Sequence, residues 1–203
     1  SGVTAPAVHI VDDDPAMRAS LRALLEIEGY EVTAFADGPG FLAAAPHLAP
    51  GCVLLDIRMT PLDGLAVLAQ LQKMRDDLPV VMMTGHADVA LAVRSMKAGA
   101  VNFLEKPFGA EALTESVAEA LTIARLRAEI RQGATDAQRR LDRLTERERE
   151  VLMALVDGMP NKGVAQALGI SPRTVEVHRA RLMDKLEVAS IAEAVKIALA
   201  AGG

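Results

Sequence analysis

The chain has 203 residues, of which 51% are hydrophobic, and it carries a formal net charge of −5 at pH 7. That length allows one large or two modest domains, and no run approaches the roughly 18 to 20 apolar residues of a membrane span. The single cysteine, Cys52, lies in an apolar run and excludes a disulfide framework or a cysteine-rich metal site. We therefore expect a cytoplasmic protein of two domains.

The charge is distributed unevenly along the chain. Residues 1–123 contain 8 Lys and Arg against 16 Asp and Glu, a net charge of −8, whereas residues 124–203 contain 14 against 11, a net charge of +3. An acidic half joined to a basic half favours a cation as partner of the first and a polyanion as partner of the second. Charged surfaces are also commonly just solvated, so the split alone does not choose between these interpretations.

In the first half, short apolar and β-branched runs alternate with stretches of helical character. Strands are predicted over Val8–Val11, Val32–Phe35, Cys52–Leu55, Val80–Met83 and Val101–Leu104, and helices over 15–28, 38–45, 63–74, 87–98 and 110–130. Such runs are typical of parallel strands covered on both faces, and right-handed crossovers wind them into a doubly wound sheet. We predict an α/β domain over residues 6–124 with a five-stranded parallel sheet and a ligand site at the carboxyl edge.

The fifth helix is predicted to continue past the sheet. Apolar residues recur at helical spacing from Leu113 to Ala128, after which Gln132–Thr135 interrupts the pattern and the charged segment 136–143 is typical of a linker. We assign residues 125–140 to a helical extension and linker.

Residues 141–203 are predicted to form a small all-α domain of four helices. The start and stop signals are, in chain order, Thr145 with Glu148, Asn161, Gly169, Ser171 with Pro172, and Ser190 with Glu193. Thr145 and Ser190 open capping boxes, Asn161 is the predicted cap of the second helix, and Gly169 is its predicted end.

Polar side chains stand at the ends of the predicted strands. Asp12 and Asp13 follow the first strand, Asp56 ends the third, Thr84 ends the fourth, and Lys106 follows the fifth. In a parallel sheet all of them emerge at one edge, where clustered carboxylates require a cation such as Mg²⁺ to offset their repulsion. With a carboxylate nucleophile, a hydroxyl and an ammonium beside a phosphoryl group, the set suits in-line phosphoryl transfer.

A plainer interpretation is that acidic residues at strand ends form loops and cap the next helices. We prefer it for Asp14, which precedes Pro15. Applied to the remaining acidic residues and the lysine together, it requires several coincidences of spacing.

Four short motifs carry these residues in chain order. They are Val11–Asp14, Leu55–Met59, Met83–His86 and Glu105–Phe108. Together they resemble the hallmark motifs of bacterial response-regulator receiver domains, over residues from about Ala7 to Ala124. The resemblance implies a flavodoxin-like fold and Asp56 as the phosphoacceptor.

The resemblance also implies a role for each residue of the acidic pocket. Mg²⁺ is expected to be bound by Asp13, Asp56 and the backbone carbonyl of Arg58, with Asp12 assisting through a water molecule. Lys106 is expected to contact the phosphoryl group, with the peptide bond to the following proline in cis.

Thr84 and Phe103 are the switch pair that the resemblance implies. A phosphoryl group adds a charge of about −1.5 to −2, which would draw the Thr84 hydroxyl inward and let Phe103 fill the vacated space. Without the resemblance, Phe103 would be an ordinary core aromatic.

One motif departs from the family pattern. The family usually has proline directly after the methionine of the third motif, whereas this chain has Met59, Thr60 and then Pro61, with the distance from Asp56 to Gly64 unchanged. We expect the loop to differ in stiffness and the chemistry to be retained.

The third helix of the second domain has the outline of a DNA-reading helix. Val175, Leu182 and Leu186 keep the spacing of a buried face. A short helix precedes this helix in the sequence, and a tight turn at Gly169 separates the two. A helical bundle with a charged, solvated face explains this geometry equally well.

Three segments favour the DNA-reading interpretation. Leu144–Leu152, Asn161–Lys162 and Ile170–His178 closely resemble the LuxR-type DNA-binding domain, and its pairing with this receiver resembles the FixJ branch of the NarL family. By that analogy, phosphates are contacted by Lys162, Arg173, Thr174, Arg181 and Lys185, and base edges are faced by Glu176, Val177, Arg179 and Ala180. The fourth helix either forms a dimer surface or only packs onto its own domain.

The leading hypothesis is a transcription regulator that is not an enzyme and binds promoter DNA as a homodimer when phosphorylated. Its expected partners are a sensor histidine kinase, double-stranded DNA and RNA polymerase, with no membrane. A second hypothesis is a Mg²⁺-dependent phosphatase with Asp12 as nucleophile, although Pro15 and Ala16 stand where such enzymes usually have Gly-Thr. A third is a regulator that works without phosphorylation.

Overall fold

The computed structural model describes residues 5–86 and 89–202. The chain divides into two compact units, Ser1–Ala128 and Glu129–Gly203. The strands and α-helices that begin in the first unit are β1 (Ala7–Val11), α1 (Pro15–Ile27), β2 (Glu31–Phe35), α2 (Gly38–Ala44), β3 (Gly51–Asp56), α3 (Gly64–Met74), β4 (Val80–Thr84), α4 (Val89–Lys97), β5 (Asn102–Glu105) and α5 (Ala110–Leu141). Residues 87 and 88, where the fourth helix is predicted to begin, lie outside the described residues.

The five strands form a single parallel sheet in the order β2-β1-β3-β4-β5. Val11 pairs with Leu55 across β1 and β3, and Asp56 pairs with Met83 across β3 and β4. The strand order changes direction between β1 and β3, which places the ligand crevice of a doubly wound sheet at their carboxyl ends. The predicted α/β fold is confirmed.

Helices cover both faces of the sheet at its centre, where β1, β3 and β4 are buried along their whole length. On β3, Cys52 and Leu54 pack into the layer formed with α1 and α5, and Val53 and Leu55 pack into the layer formed with α2 and α3. All six residues of this strand are buried. Burial on both faces therefore explains why the sequence shows continuous apolar runs here.

Aspartates begin the first three helices at the carboxyl edge. Asp14, Asp37 and Asp63 are the cap residues of α1, α2 and α3, and each side chain accepts a backbone N–H of the first turn at 2.7–2.9 Å. These bonds satisfy amides that have no partner within the helix. The predicted capping role of Asp14 is confirmed.

The interruption predicted at Gln132–Thr135 is absent, because α5 is one helix of 32 residues. A glycine in a helix costs only about 1 kcal/mol, and the residues around Gly133 favour helix. Gln132 donates to Asp136 at 2.9 Å, and Gln138 donates to Asp142 at 2.8 Å, both four residues apart. These side-chain pairs support the helix across the segment that the sequence marks as a linker.

The second unit continues with four short helices around its own core. They are α6 (Glu146–Val156), α7 (Asn161–Leu168), α8 (Pro172–Leu186) and α9 (Ile191–Ala201). Ala194 and Ala198 of α9 are buried in this core. Within the described parts of both units, no helix has the length and apolar character needed to cross a membrane.

The start and stop signals of these helices are confirmed with one exception. Thr145 and Glu148 form the complete capping box, and Gly169 ends α7 in the left-handed conformation at φ 65°. Asn161 is not the cap, since Pro160 occupies that position in an extended conformation and Asn161 is the first helical residue. Its side chain instead accepts a hydrogen bond from Arg179.

The box at the start of α9 is shifted by one residue. Ser190 accepts the N–H of Glu193 at 3.2 Å, as predicted, but the Glu193 carboxylate accepts from Ala189 rather than from Ser190. Both free amides at this helix start are therefore satisfied.

Candidate functional site

The polar side chains at the carboxyl edge of the sheet meet in one pocket. The Lys106 ammonium donates to Oδ2 of Asp12 at 2.7 Å and to Oδ1 of Asp56 at 3.1 Å, although the residues lie far apart in sequence. Asp12 and Asp56 are buried, and the lysine is half-buried. Strands β1, β3 and β5 thus bring a nucleophile candidate, a second carboxylate and a cation together.

Burial and charge act in opposite directions on the two central groups. Burial raises the pKa of Asp56 above its usual range, and the Lys106 charge offsets this only in part because Asp12 and Asp13 act with burial. Burial tends to lower the pKa of Lys106, but hydrogen bonds and charges from Asp12 and Asp56 outweigh it, and the pKa is raised. The lysine is therefore held as a cation in the pocket.

Three carboxylates could hold a metal ion. Asp12, Asp13 and Asp56 each offer an oxygen, and these oxygens lie within 4.8 Å of one another. Asp12 and Asp56 are buried and Asp13 is exposed, so the trio faces solvent on one side. Hard oxygen donors open to water fit Mg²⁺, which keeps several of its own water ligands.

The loop after β1 is held in place by its own polar groups. Oδ1 of Asp12 accepts the N–H of Asp14 at 2.9 Å, and Nη1 of Arg18 donates to the Asp12 carbonyl at 2.7 Å. Arg18 was not predicted as part of the site, because its only signal in the sequence is that of a basic residue in the first turn of α1. Arg18 fixes the backbone that carries the first two aspartates.

The loop after Asp56 keeps its length for a steric reason. A Cβ at Gly64 would lie 2.3 Å from the carbonyl oxygen of Asp56, and the Gly64 N–H donates to Ile57 at 2.8 Å. The displaced proline is accommodated as a cis Thr60–Pro61 bond. The spacing from Asp56 to Gly64 thus follows from close backbone packing beneath the phosphoacceptor candidate.

The remaining receiver candidates also lie at this edge. Thr84 is fully buried at the end of β4, and its hydroxyl accepts the N–H of His86 at 3.3 Å. Phe103 on β5 is half-buried and packs against the core layer of α2 and α3. Arg58 is exposed in the loop after Asp56, and the predicted cis bond from Lys106 to Pro107 is present.

The DNA-contact candidates lie on α7 and α8 with different exposure. Val175, Leu182 and Leu186 are buried, as the spacing predicted. Six of the nine candidates are exposed, namely Lys162, Arg173, Glu176, Val177, Ala180 and Arg181, and three are half-buried, namely Thr174, Arg179 and Lys185. The short helix α7, the tight turn after it and the exposed face of α8 together have the outline of a helix-turn-helix.

Two of the half-buried candidates are held by residues that were not predicted to belong to the site. Lys185 donates to Oε2 of Glu148 at 2.7 Å, and that buried carboxylate also accepts the N–H of Thr145 at 2.8 Å. Arg179 donates to Oδ1 of Asn161 at 2.5 Å. The capping signals found Glu148 and Asn161 as helix starts, but no local pattern links them to α8.

Two family models match the chain. A model described as the response regulator receiver domain matches residues 8–118, and one described as bacterial regulatory proteins, luxR family, matches residues 142–198. The transcriptional regulatory protein FixJ of Bradyrhizobium diazoefficiens is 44% identical over 195 residues, covering 96% of this chain and 95% of that protein. The tetrathionate response regulatory protein TtrR of Salmonella typhimurium is 41% identical, with 93% and 90% covered.

Solved structures of response regulators match as well. Full-length FixJ from B. japonicum matches with a TM-score of 0.60 at 44% identity, covering 97% of each chain. The response regulator StyR matches with a TM-score of 0.78 at 38% identity, covering 96% of this chain and 98% of that one. The chain therefore belongs to the response regulators of two-component systems, as a transcriptional regulator in which a receiver domain precedes a LuxR-type helix-turn-helix DNA-binding domain.

Proposed function

We propose that Asp56 accepts a phosphoryl group from a sensor histidine kinase, and that this modification promotes dimerisation and sequence-specific binding to promoter DNA. The observation that supports the proposal most directly is the Lys106 ammonium between the carboxylates of Asp12 and Asp56, at 2.7 and 3.1 Å. A positive charge stands beside a buried carboxylate whose pocket opens to solvent at Asp13.

In the proposed reaction, an oxygen of Asp56 attacks phosphorus in line with the leaving group. The new bond joins that oxygen to phosphorus, while the bond from phosphorus to a histidine nitrogen of the kinase breaks and the nitrogen keeps the electron pair. Lys106 moves from the Asp56 carboxylate to a phosphoryl oxygen and remains a cation throughout.

The carboxylate trio fits Mg²⁺ as the cofactor of this step. Asp13 and Asp56 are the proposed direct ligands with the backbone carbonyl of Arg58, and Asp12 acts through a water molecule. The ion supplies charge neutralisation for the carboxylates and the incoming phosphoryl group. Its removal by a chelator is expected to abolish phosphorylation.

The proposed switch transmits the new charge to the surface. The Thr84 hydroxyl, which accepts the N–H of His86, turns to donate a hydrogen bond to a phosphoryl oxygen, and Phe103 moves into the space that it leaves. Repacking around α4 and β5 then favours a homodimer. Phe103 is half-buried and packs against the core cluster that contains α2 and α3.

The proposed DNA interface is the exposed face of α8 with Lys162 of α7. Phosphates are contacted by Lys162, Arg173, Thr174 and Arg181, and base edges are faced by Glu176, Val177, Arg179 and Ala180. Lys185 is already paired with Glu148, and we propose that it holds α8 to α6. Such a regulator acts in the cytoplasm, with RNA polymerase as its downstream partner.

The first test is chemical. The full chain is incubated with acetyl phosphate and Mg²⁺, and the modified residue is located by tandem mass spectrometry, with Asp56→Asn as the matched control. We expect one added phosphoryl group on Asp56, none in the variant, and a doubled mass by light scattering.

Two outcomes would contradict the proposal. Modification of another residue, or full modification of Asp56 with an unchanged mass, would remove the phosphoacceptor or the dimerisation step. Repeated turnover of a phosphoester such as p-nitrophenyl phosphate without a stable aspartyl phosphate would favour the phosphatase hypothesis instead.

A further inference from the structure

The three arginines of α8 differ in how they are held. Arg173 and Arg181 are exposed, whereas Arg179 is half-buried. Of the three, only Arg179 makes a side-chain hydrogen bond within the described ranges, from its Nη1 to Oδ1 of Asn161 at 2.5 Å. A contact from the first residue of α7 therefore fixes one guanidinium on the reading helix.

The charge of this guanidinium is not neutralised by its surroundings. Among residues 5–86 and 89–202, Arg179 forms no ion pair with a carboxylate, and its hydrogen-bond partner is a neutral amide. An arginine has five N–H donors in a rigid plane, and the Asn161 contact uses one of them. The remaining donors keep the geometry of a two-pronged fork.

A fixed fork suits a base edge better than a phosphate. A phosphate contact requires charge more than orientation, and the exposed Arg173 and Arg181 can provide it from flexible side chains. In the major groove, guanine alone presents two neighbouring acceptors, O6 and N7, whereas adenine presents one acceptor beside a donor and thymine one acceptor. A pinned guanidinium loses less conformational freedom when it docks on such a pair.

We propose that Arg179 recognises a guanine in the major groove, and that Asn161 is the positioning residue that holds the guanidinium in the orientation required. This inference rests on the proposed DNA-binding function and makes it more specific. Asn161 belongs to α7, so the helix that precedes α8 contributes to the choice of DNA sequence without contacting a base. Its effect is expected on sequence preference and not on general affinity for DNA.

The experiment uses a pool of randomised double-stranded DNA. The full chain, treated with acetyl phosphate and Mg²⁺, selects duplexes from the pool, and the base preferences are read by sequencing. The variants are Arg179→Lys, which keeps the charge without the fork, Asn161→Ala, which removes the acceptor, and Asn161→Asp, which restores an acceptor oxygen. The matched control is Gln166→Ala, an exposed amide on α7.

We expect the wild-type protein to enrich a site with a required guanine. Arg179→Lys should lose the preference for that guanine by about 10-fold or more. Asn161→Ala should weaken the same position, Asn161→Asp should recover it, and the control should match the wild type. The slope of affinity against salt concentration should stay the same in Asn161→Ala, because no phosphate contact is lost.

Four results would overturn the inference. Retention of every base preference by Arg179→Lys would exclude guanine recognition, and a loss at a base other than guanine would do the same. An unchanged profile in Asn161→Ala would exclude the positioning role. If the phosphorylated wild-type protein selects no sequence at all, the proposed DNA-binding function itself is wrong. Thermal unfolding of each variant shows whether a lost preference is caused by misfolding.

Discussion

Two aspartates of the receiver have opposite pKa shifts because their partners differ. A bidentate hydrogen bond from Arg75, at 2.6 and 2.9 Å, holds the pKa of Asp77 below its usual range against the effect of burial. Burial instead raises the pKa of Asp56, and Lys106 offsets this only in part because the charges of Asp12 and Asp13 act in the same direction as burial. Local geometry thus fixes one carboxylate as a structural charge and leaves the other at the chemical site.

Asp77 should make the receiver sensitive to acid. The pKa of Asp77 is lower in the folded state than in the unfolded chain. The stabilisation of the folded receiver by the Arg75–Asp77 pair is therefore fully present above the unfolded pKa of about 3.9, and it is lost as the pH falls through the folded pKa. We expect the difference in free energy of unfolding between the wild type and Asp77→Asn to be constant above about pH 5 and to shrink below about pH 4.

Tyr30 provides the measurement, because it is the only tyrosine in a chain without tryptophan and lies in the first unit. Urea unfolding followed by its fluorescence reports on the receiver alone. Glu115→Gln, which removes an exposed carboxylate of the same unit, is the control for the loss of one negative charge. A difference between the wild type and Asp77→Asn that grows on acidification would contradict this account.

At the scale of elements, α8 is joined to its neighbours by two side-chain contacts with separate purposes. Lys185 meets the buried Glu148 of α6, and Arg179 meets Asn161 of α7. The first contact lies on a carboxylate that also caps α6, so it couples the start of one helix to the end of another. We infer a structural role for Lys185 from this.

Lys185→Met should lower the melting temperature without changing the salt dependence of DNA binding. Removal of the ammonium leaves the buried Glu148 carboxylate without its cation, and because the lysine is partly exposed the cost is about 1–2 kcal/mol. Lys162→Met is the control, because loss of one phosphate contact should reduce the salt slope by about 1 and leave stability unchanged. Calorimetry and fluorescence anisotropy at several NaCl concentrations measure the two effects. A reduced salt slope in Lys185→Met would show a phosphate contact instead.

The continuity of α5 also has a direct test. A Cβ at Gly133 would meet nothing within 4 Å, and the residue is exposed. Gly133→Ala should therefore stabilise the protein by about 0.5–1 kcal/mol through its helix propensity, measured by thermal unfolding monitored at 222 nm. Destabilisation by the alanine would indicate a non-helical linker at this position.

The sequence predicted the sheet and the pocket because strand ends can be located from local patterns. Once Val8–Val11 and Cys52–Leu55 are parallel neighbours, Asp12 and Asp56 must emerge at the same edge, and Lys106 joins them from β5. The helix through Gly133 was missed because one glycine is a weak breaker among good helix formers.

The contacts of α8 were beyond sequence reasoning for a different reason. Glu148 and Lys185 lie on different helices, and so do Asn161 and Arg179. Their pairing depends on how the helices pack, which no periodicity within one helix encodes. Asn161 also shows how a tertiary partner overrides a local preference, since its side chain bonds to Arg179 and not to the start of its own helix.

At the scale of the whole molecule, the central claim is a coupling between two sites in separate units. Phosphorylation at Asp56 must change the affinity of the second unit for DNA, and such couplings are typically 5- to 150-fold. Because the coupling is reciprocal, specific DNA should also increase the phosphorylated fraction at equilibrium. Either effect requires both units in one chain, so each is measured on the full protein.

The most direct test compares DNA affinity with and without phosphorylation. A fluorescent duplex selected from the random pool is titrated with the wild-type protein and with Asp56→Asn, each before and after treatment with acetyl phosphate and Mg²⁺. We predict that treatment tightens wild-type binding by about 10-fold or more and leaves the variant unchanged and weak. Equal tightening in Asp56→Asn, or no tightening in wild-type protein that mass spectrometry shows to be fully phosphorylated, would contradict the account.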